Sequence, residues 1–212
     1  MRRDGRCWVL LFAVVALLVP AIGSAATIGA EVFGAYNRYD MTDVNDAIGQ
    51  ANASGAGFDE LTGGMTAGAG LRMWASPDWA FMAGWEPLRL STSSSSNNET
   101  WNLNANSFQF TAARFFPSAT TSKYGIGAGV GYYSIAGEYR DQTGISDING
   151  SGVGFHVMGL GEWQMSRGFS LTAGVGYRIA NIDIDNAPNG ETANYSGLMG
   201  RVGFAFYMPS AK

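Results

Sequence analysis

The chain has 212 residues, of which 46% are hydrophobic, 13% aromatic and only 14% charged, with 30 glycines. That length suits one domain, the apolar share excludes a disordered chain, and low charge with high glycine points to an exterior that meets something other than water. The formal net charge is −4, which lacks the basic footprint of a nucleic-acid binder.

The N-terminus reads as a targeting segment. Arg2, Arg3 and Arg6 precede an apolar run from Trp8 to Val19; Pro20 and Gly23 break it, and Ser24-Ala25-Ala26 offers a small-residue cleavage site. This is the three-part signal-peptide pattern, and the run falls short of the ~20 residues a spanning helix needs. Residues 1–26 are therefore expected to be a signal peptide and 27–212 a single domain. Without Arg2, Arg3, Arg6 and Asp4 the mature chain keeps ten basic and sixteen acidic residues, a net charge of −6. Its one cysteine, Cys7, leaves with the signal, so no disulfide is expected despite export.

No mature segment has 18 consecutive apolar residues, so no transmembrane helix is expected. Instead the chain divides into alternating segments of about ten residues. The first strand runs about Ile28 to Tyr39, with Ile28, Ala30, Val32 and Tyr36 on one face and Glu31, Phe33 and Asn37 on the other. A long polar loop covers Asp40 to Thr62, in which Thr42 is placed to cap a short helix over Asp43 to Asn52. The second strand spans Gly64 to Ala75, the third Trp79 to Leu90 and the fourth Trp101 to Phe116. In the fourth the alternation changes parity between Leu103 and Phe108, which predicts a bulge over 104–107. The fifth runs Tyr124 to Tyr139, the sixth Val153 to Met165, the seventh Phe169 to Ile182 and the eighth Tyr195 to Met208.

One unit recurs. Phe169, Leu171, Ala173, Val175 and Tyr177 alternate with Ser170, Thr172, Gly174 and Gly176, the period-2 signature of a two-faced strand. The same pattern occupies Tyr124 to Tyr132 and Trp79 to Trp85, and the pairs Ala83-Gly84, Ala128-Gly129 and Ala173-Gly174 are 45 residues apart. Such a period suits a propeller blade only if it holds four strands; here it holds two, one hairpin. Connections at 76–78, 117–122 and 166–168 are short, whereas those at 40–62, 91–99, 141–149 and 185–193 are long and polar. The predicted fold is therefore all-β, an eight-stranded antiparallel up-and-down transmembrane β-barrel with both termini at the short-turn, periplasmic end.

The faces follow from parity. Eight residues at ~3.3 Å rise and ~40° tilt span roughly 20 Å, close to a lipid-facing band. Trp79, Phe116, Tyr124, Trp163 and Phe169 fall beside short turns, and Tyr132 and Tyr177 close the other end, so these aromatics are expected at the two membrane interfaces. The inward face carries Glu31, Arg72, Glu86, Glu162, Arg178 and Arg201. An eight-stranded barrel is only wide enough for its own side chains, so these charges are expected to pair and plug it, with Arg178 needing a carboxylate from Glu86 or another strand. His156, the one histidine, falls on the same face with no Ser or Asp beside it to complete a triad, which favours a satisfied lumen histidine over a catalytic base. Asp183, Asp185 and Asn186 offer oxygens to a hard cation but miss the EF-hand pattern, so no metal site is expected. Gly127-x-Gly129-x-Gly131 opens no helix and binds no dinucleotide; no cofactor is expected.

On this pattern the chain resembles the small eight-stranded outer-membrane barrels of Gram-negative bacteria, the OmpA-barrel/OmpX/OmpW-like class. The C-terminal Arg201-Val-Gly203-Phe-Ala-Phe206-Tyr-Met208 looks like the signal read by the barrel assembly machinery, although Pro209 to Lys212 extend past it. The resemblance implies a monomer in the bacterial outer membrane, with outer-membrane lipids and the assembly machinery as partners; the chain itself is expected to be barrel only, with no peptidoglycan-binding domain following. It leaves function open. The leading expectation is a non-enzymatic barrel whose long loops, above all 40–62, meet an unknown extracellular ligand or support the envelope. A narrow channel for small or hydrophobic molecules is the alternative, and a lipid-modifying enzyme the weaker one.

Overall fold

A computed structural model describes residues 27–96, 99–119, 121–140, 144–185 and 192–208. The expected signal peptide and the tail from Pro209 lie outside the described residues, as does Asn186. Among the described residues, no helix is long and apolar enough to cross a membrane.

The alternating segments form strands. These are β1 (Thr27–Arg38), β2 (Gly63–Trp74), β3 (Trp79–Ser93), β4 (Thr100–Ala119), β5 (Ser122–Arg140), β6 (Ile145–Ser166), β7 (Phe169–Ile179), β8 (Asn181–Ile184), β9 (Thr192–Asn194) and β10 (Gly197–Tyr207). Helix α1 (Thr42–Ala53) lies between β1 and β2. Each long strand pairs antiparallel with its neighbour, and β1 pairs with β10 from Gly29–Tyr207 to Asn37–Met199, so eight staves close on themselves. Closure leaves no edge, as lipid demands, because an unpaired backbone group there costs several kcal/mol. The expected seventh strand is split after Ile179 into β7 and β8, which turns from β10 to pair with β9 and the upper part of β6.

Inside and outside sort as the pattern requires. Ile126 and Val175 on the outer wall are 66% and 65% exposed, and Val32, Leu71, Val157 and Val202 share that face. So much exposed apolar surface in one band is a face built for lipid. Two connections are shorter than expected: β6 starts at Ile145, inside the expected 141–149 loop, and β4 and β5 run to Ala119 and from Ser122.

The expected bulge over 104–107 is absent. β4 keeps one register with β3 from Trp79–Arg114 to Ser93–Thr100, and with β5 on both sides of the stretch. The register shifts lie instead at the short turns, between Pro117 and Ala119 and between Gln164 and Ser166. What changes along β4 is polarity, with parity constant. Phe108 faces out, but two and four residues higher the outward positions are Asn106 and Asn104, while inward Ala105 and Leu103 are fully buried. β3 does the same, from outward Trp85 to inward Leu88 and Leu90, and β7 from outward Ile179 to inward Ala180 and Ile182 across its break. The inversion marks a membrane surface: below it lipid takes the outer face, and above it water does, so the apolar side chains turn inward.

A polarity-sensitive fluorophore tests this on Phe108→Cys and Asn104→Cys in lipid vesicles. The label at 108 should be quenched by lipid-borne quenchers and the label at 104 by aqueous iodide. Lipid quenching at 104 would place the surface elsewhere.

Candidate functional site

The inward-facing polar and charged side chains gather in the bore, where side chains pack at three heights.

At the outer mouth, loop 40–62 folds inward. Met41 just before α1 and Val44 and Ile48 on it, with Ala56, Phe58 and Leu61 on the returning segment, pack against Leu88, Leu90, Leu103, Tyr133, Ile135 and Ile182 of the wall. Val44 and Ile48 are spaced i, i+4, which puts them on one helix face. The helix has no side-chain N-cap; Thr42 donates to Asp40, at 2.5 Å, and caps nothing, contrary to expectation. Two asparagines clip the loop instead. Asn45 accepts from the Leu61 amide (2.8 Å) and donates to its carbonyl (3.1 Å), and Asn52 does the same with Phe58 (2.7 and 2.9 Å). Tyr39 and Tyr195 meet edge to face, centroids 5.2 Å apart, and Tyr195 donates to the Leu103 carbonyl. Burial pushes the pKa of both phenols above the ordinary tyrosine value, so both stay neutral at physiological pH.

Below this cap, Glu86 on β3 collects three donors: Asn37 (2.7 Å), Arg178 (3.0 Å) and Gln109 (3.2 Å). Nε2 of His156 hydrogen-bonds Thr111 Oγ1 at 2.7 Å, while Nδ1 has no protein partner among the described residues. That histidine is therefore half satisfied. Gly129 makes room for it, since a Cβ there would sit 2.6 Å from Nε2.

Deeper still, Arg72 on β2 bridges Glu31 of β1 (3.1 Å) and Glu162 across the bore on β6 (2.6 Å). Thr172 donates to Glu31 (2.7 Å), Tyr207 to Glu162 (2.8 Å) and Trp74 to Tyr207 (3.1 Å). Trp74, Met82, Phe115 and Leu160 pack together toward the short-turn end of the bore. Thus five of the six inward charges fall into two clusters. Arg201 lies apart, over the Phe33 ring at 5.3 Å and 3.6 Å from Met82 Sδ.

On the outer wall, Trp79, Phe116, Tyr124 and Tyr132 are exposed, Phe169 stacks with Phe204 and Trp163 meets Tyr124 edge to face. Tyr177 is exposed at the other end of β7. Of the C-terminal motif, Phe206 faces out on β10, Gly203 faces in beneath Phe33, and Met208 follows the strand. Among the described residues, no group of His, Cys, Asp or Glu is gathered for a metal ion.

Solved structures share this architecture. Neisserial surface protein A superposes with a TM-score of 0.59 at 12% identity, over 86% of this chain and 98% of that one. The outer membrane protein OprG from Pseudomonas aeruginosa gives 0.56 at 10% identity, over 86% and 95%. This chain has the outer-membrane β-barrel fold. Ail, the attachment invasion locus protein of Yersinia pestis, in complex with the heparin analogue sucrose octasulfate, gives 0.52 at 11% identity, over 86% and 99%. No protein-family model and no curated protein matches the sequence. Likeness at these identities is a likeness of fold, and function rests on this chain's own residues.

The loop residues facing the bore escape a reading that takes 40–62 as polar. The signal was present: Met41, Val44, Ile48, Phe58 and Leu61 are apolar residues in a stretch assigned to water.

Arg72→Met tests the deep cluster. Removing the cation leaves two buried carboxylates facing each other, so unfolding by urea in lipid vesicles should need about 3–5 kcal/mol less free energy. Arg89→Met, on the exposed face of β3, should change it by less than about 0.5 kcal/mol.

Proposed function

We propose that this protein is a non-enzymatic, monomeric barrel of the bacterial outer membrane with a closed lumen, which holds its outer loops rigidly for surface contact or envelope integrity. The observation that carries the reading is the filling of the bore: an apolar cap, a charged layer and an apolar periplasmic cluster lie in series. An eight-stranded bore has no width left for a water column past such side chains. The cap fixes loop 40–62 through its apolar side, so only its polar side, including Asp43, Asp46, Gln50, Asp59 and Glu60, meets the outside. The partners in this reading are outer-membrane lipids around the apolar wall and an extracellular ligand met by the loops, with no nucleic acid.

The remaining assignments follow from the same frame. Residues 1–26 serve as the export signal. Trp79, Phe116, Tyr124, Trp163 and Phe169 anchor the periplasmic interface, and Tyr132 and Tyr177 the outer one. Arg201, Gly203, Phe206 and Met208 belong to the signal read by the assembly machinery. Against a hydrolytic role, Thr111 and His156 form a hydroxyl–imidazole pair, but both are buried in the bore and, among the described residues, no group orients the second imidazole nitrogen.

Planar bilayer recording tests the closed lumen. Purified, folded protein should give no stable single-channel current. Steady openings from heat-modifiable, folded protein would replace this reading with the narrow channel.

A further inference from the structure

We propose that the bore holds one sealed, ordered water molecule between Asn37, Glu86, Gln109 and Arg201. The proposal rests on the closed-lumen reading above. A cavity of about 10 Å³ lies among these four side chains, with Ala35 and Met199 completing part of its wall. That is about the room one water needs.

The chemistry of the lining selects the occupant. Asn37 is 1% exposed. Its amide nitrogen donates to Glu86 Oε1 at 2.7 Å, and because a carboxylate only accepts, this fixes which end of the amide is the oxygen. That oxygen has no protein partner among the described residues and requires a donor. Arg201 presents the opposite need. Its guanidinium lines the cavity and contacts a thioether sulfur and the face of Phe33, neither a strong acceptor, so its N–H groups are donors open to an oxygen placed there. A small anion would satisfy Arg201, yet it would sit against the Glu86 carboxylate and leave the Asn37 oxygen unmet. A metal cation would satisfy Asn37 and Glu86 but be repelled by Arg201. Water donates to Asn37 and accepts from Arg201 in one position.

Such a water also gives Arg201, half-buried and apart from the two ion-paired clusters, an oxygen partner inside the bore. The apolar cap above and the Trp74–Phe115 cluster below bar its exit. Further atoms without a partner among the described residues border this layer: Arg178 Nε and Nη1, His156 Nδ1 and Tyr133 Oη. Arg178 is joined to the site by its ion pair with Glu86.

Oxygen-17 relaxation dispersion on the folded protein in detergent micelles, with a high-resolution crystal structure, tests the proposal. The expected result is density bridging Asn37 Oδ1 and Arg201, and a long-lived water that stays for microseconds or more. Ala35→Val, which narrows the cavity from a side chain that makes no polar contact, should abolish that long-lived signal. Absence of density and of any long-lived water in the wild type would overturn the site. So would an unchanged long-lived signal in folded Ala35→Val. Density at the site with exchange at the bulk rate would instead overturn the closed lumen on which the proposal stands. If the variant fails to fold, the wild-type density and residence time decide alone.

Discussion

Arg72 lies between Glu31 and Glu162 in a bore too narrow to hydrate it, and the rest of the barrel is consistent with that one contact. The three side chains come from β2, β1 and β6, so a single guanidinium ties adjacent staves to one across the bore. A one-residue slip of any of these strands would turn its charge toward lipid. The pairing therefore specifies register as well as neutrality. Glu86 and Arg178 repeat the device between β3 and β7. Buried ion pairs are weak evidence for net stability, because desolvation offsets much of their attraction. Their effect here is to make misregistered barrels costly.

The same narrow bore governs the outer half. Once the staves rise past the membrane, their outer faces meet water and their inner faces need an apolar filling. Loop 40–62 supplies it. The outer half is thus a small water-soluble barrel with a helix as its core, continuous with a lipid-soluble barrel whose core is ionic. Loop conformation and barrel closure become one packing problem, shared by Met41, Val44, Ile48 and Leu61 with the wall.

Features set by local signals are legible in the sequence, and those set by distant pairing are not. Period-2 alternation is local, and with the spacing of short and long connections it is enough for eight closed staves. Parity is local too, and it separates the inward residues from the lipid-facing ones. Partner choice is not local: Arg178 meets Glu86, and Arg72 meets Glu162, across the bore, which only register decides. The β4 bulge failed for a different reason. Leu103 and Phe108 are both apolar at opposite parity, and on the assumption that one solvent covers the whole outer face this demands an extra residue. With two solvents along the axis, lipid then water, it demands none. Loop 40–62 hides its role in the same way, since its acidic residues mask an i, i+4 apolar face.

Water access to inward positions tests the filled bore most directly. Ala105→Cys lies in the cap layer and Ala113→Cys in the periplasmic cluster, both inward on β4, and Asn106→Cys faces outward on the same strand above the membrane. With a small, membrane-impermeant thiol reagent on the folded protein in vesicles, the cysteine at 106 should react readily, and those at 105 and 113 only after unfolding. Reaction of either inward cysteine at a rate like that at 106 would contradict a filled bore.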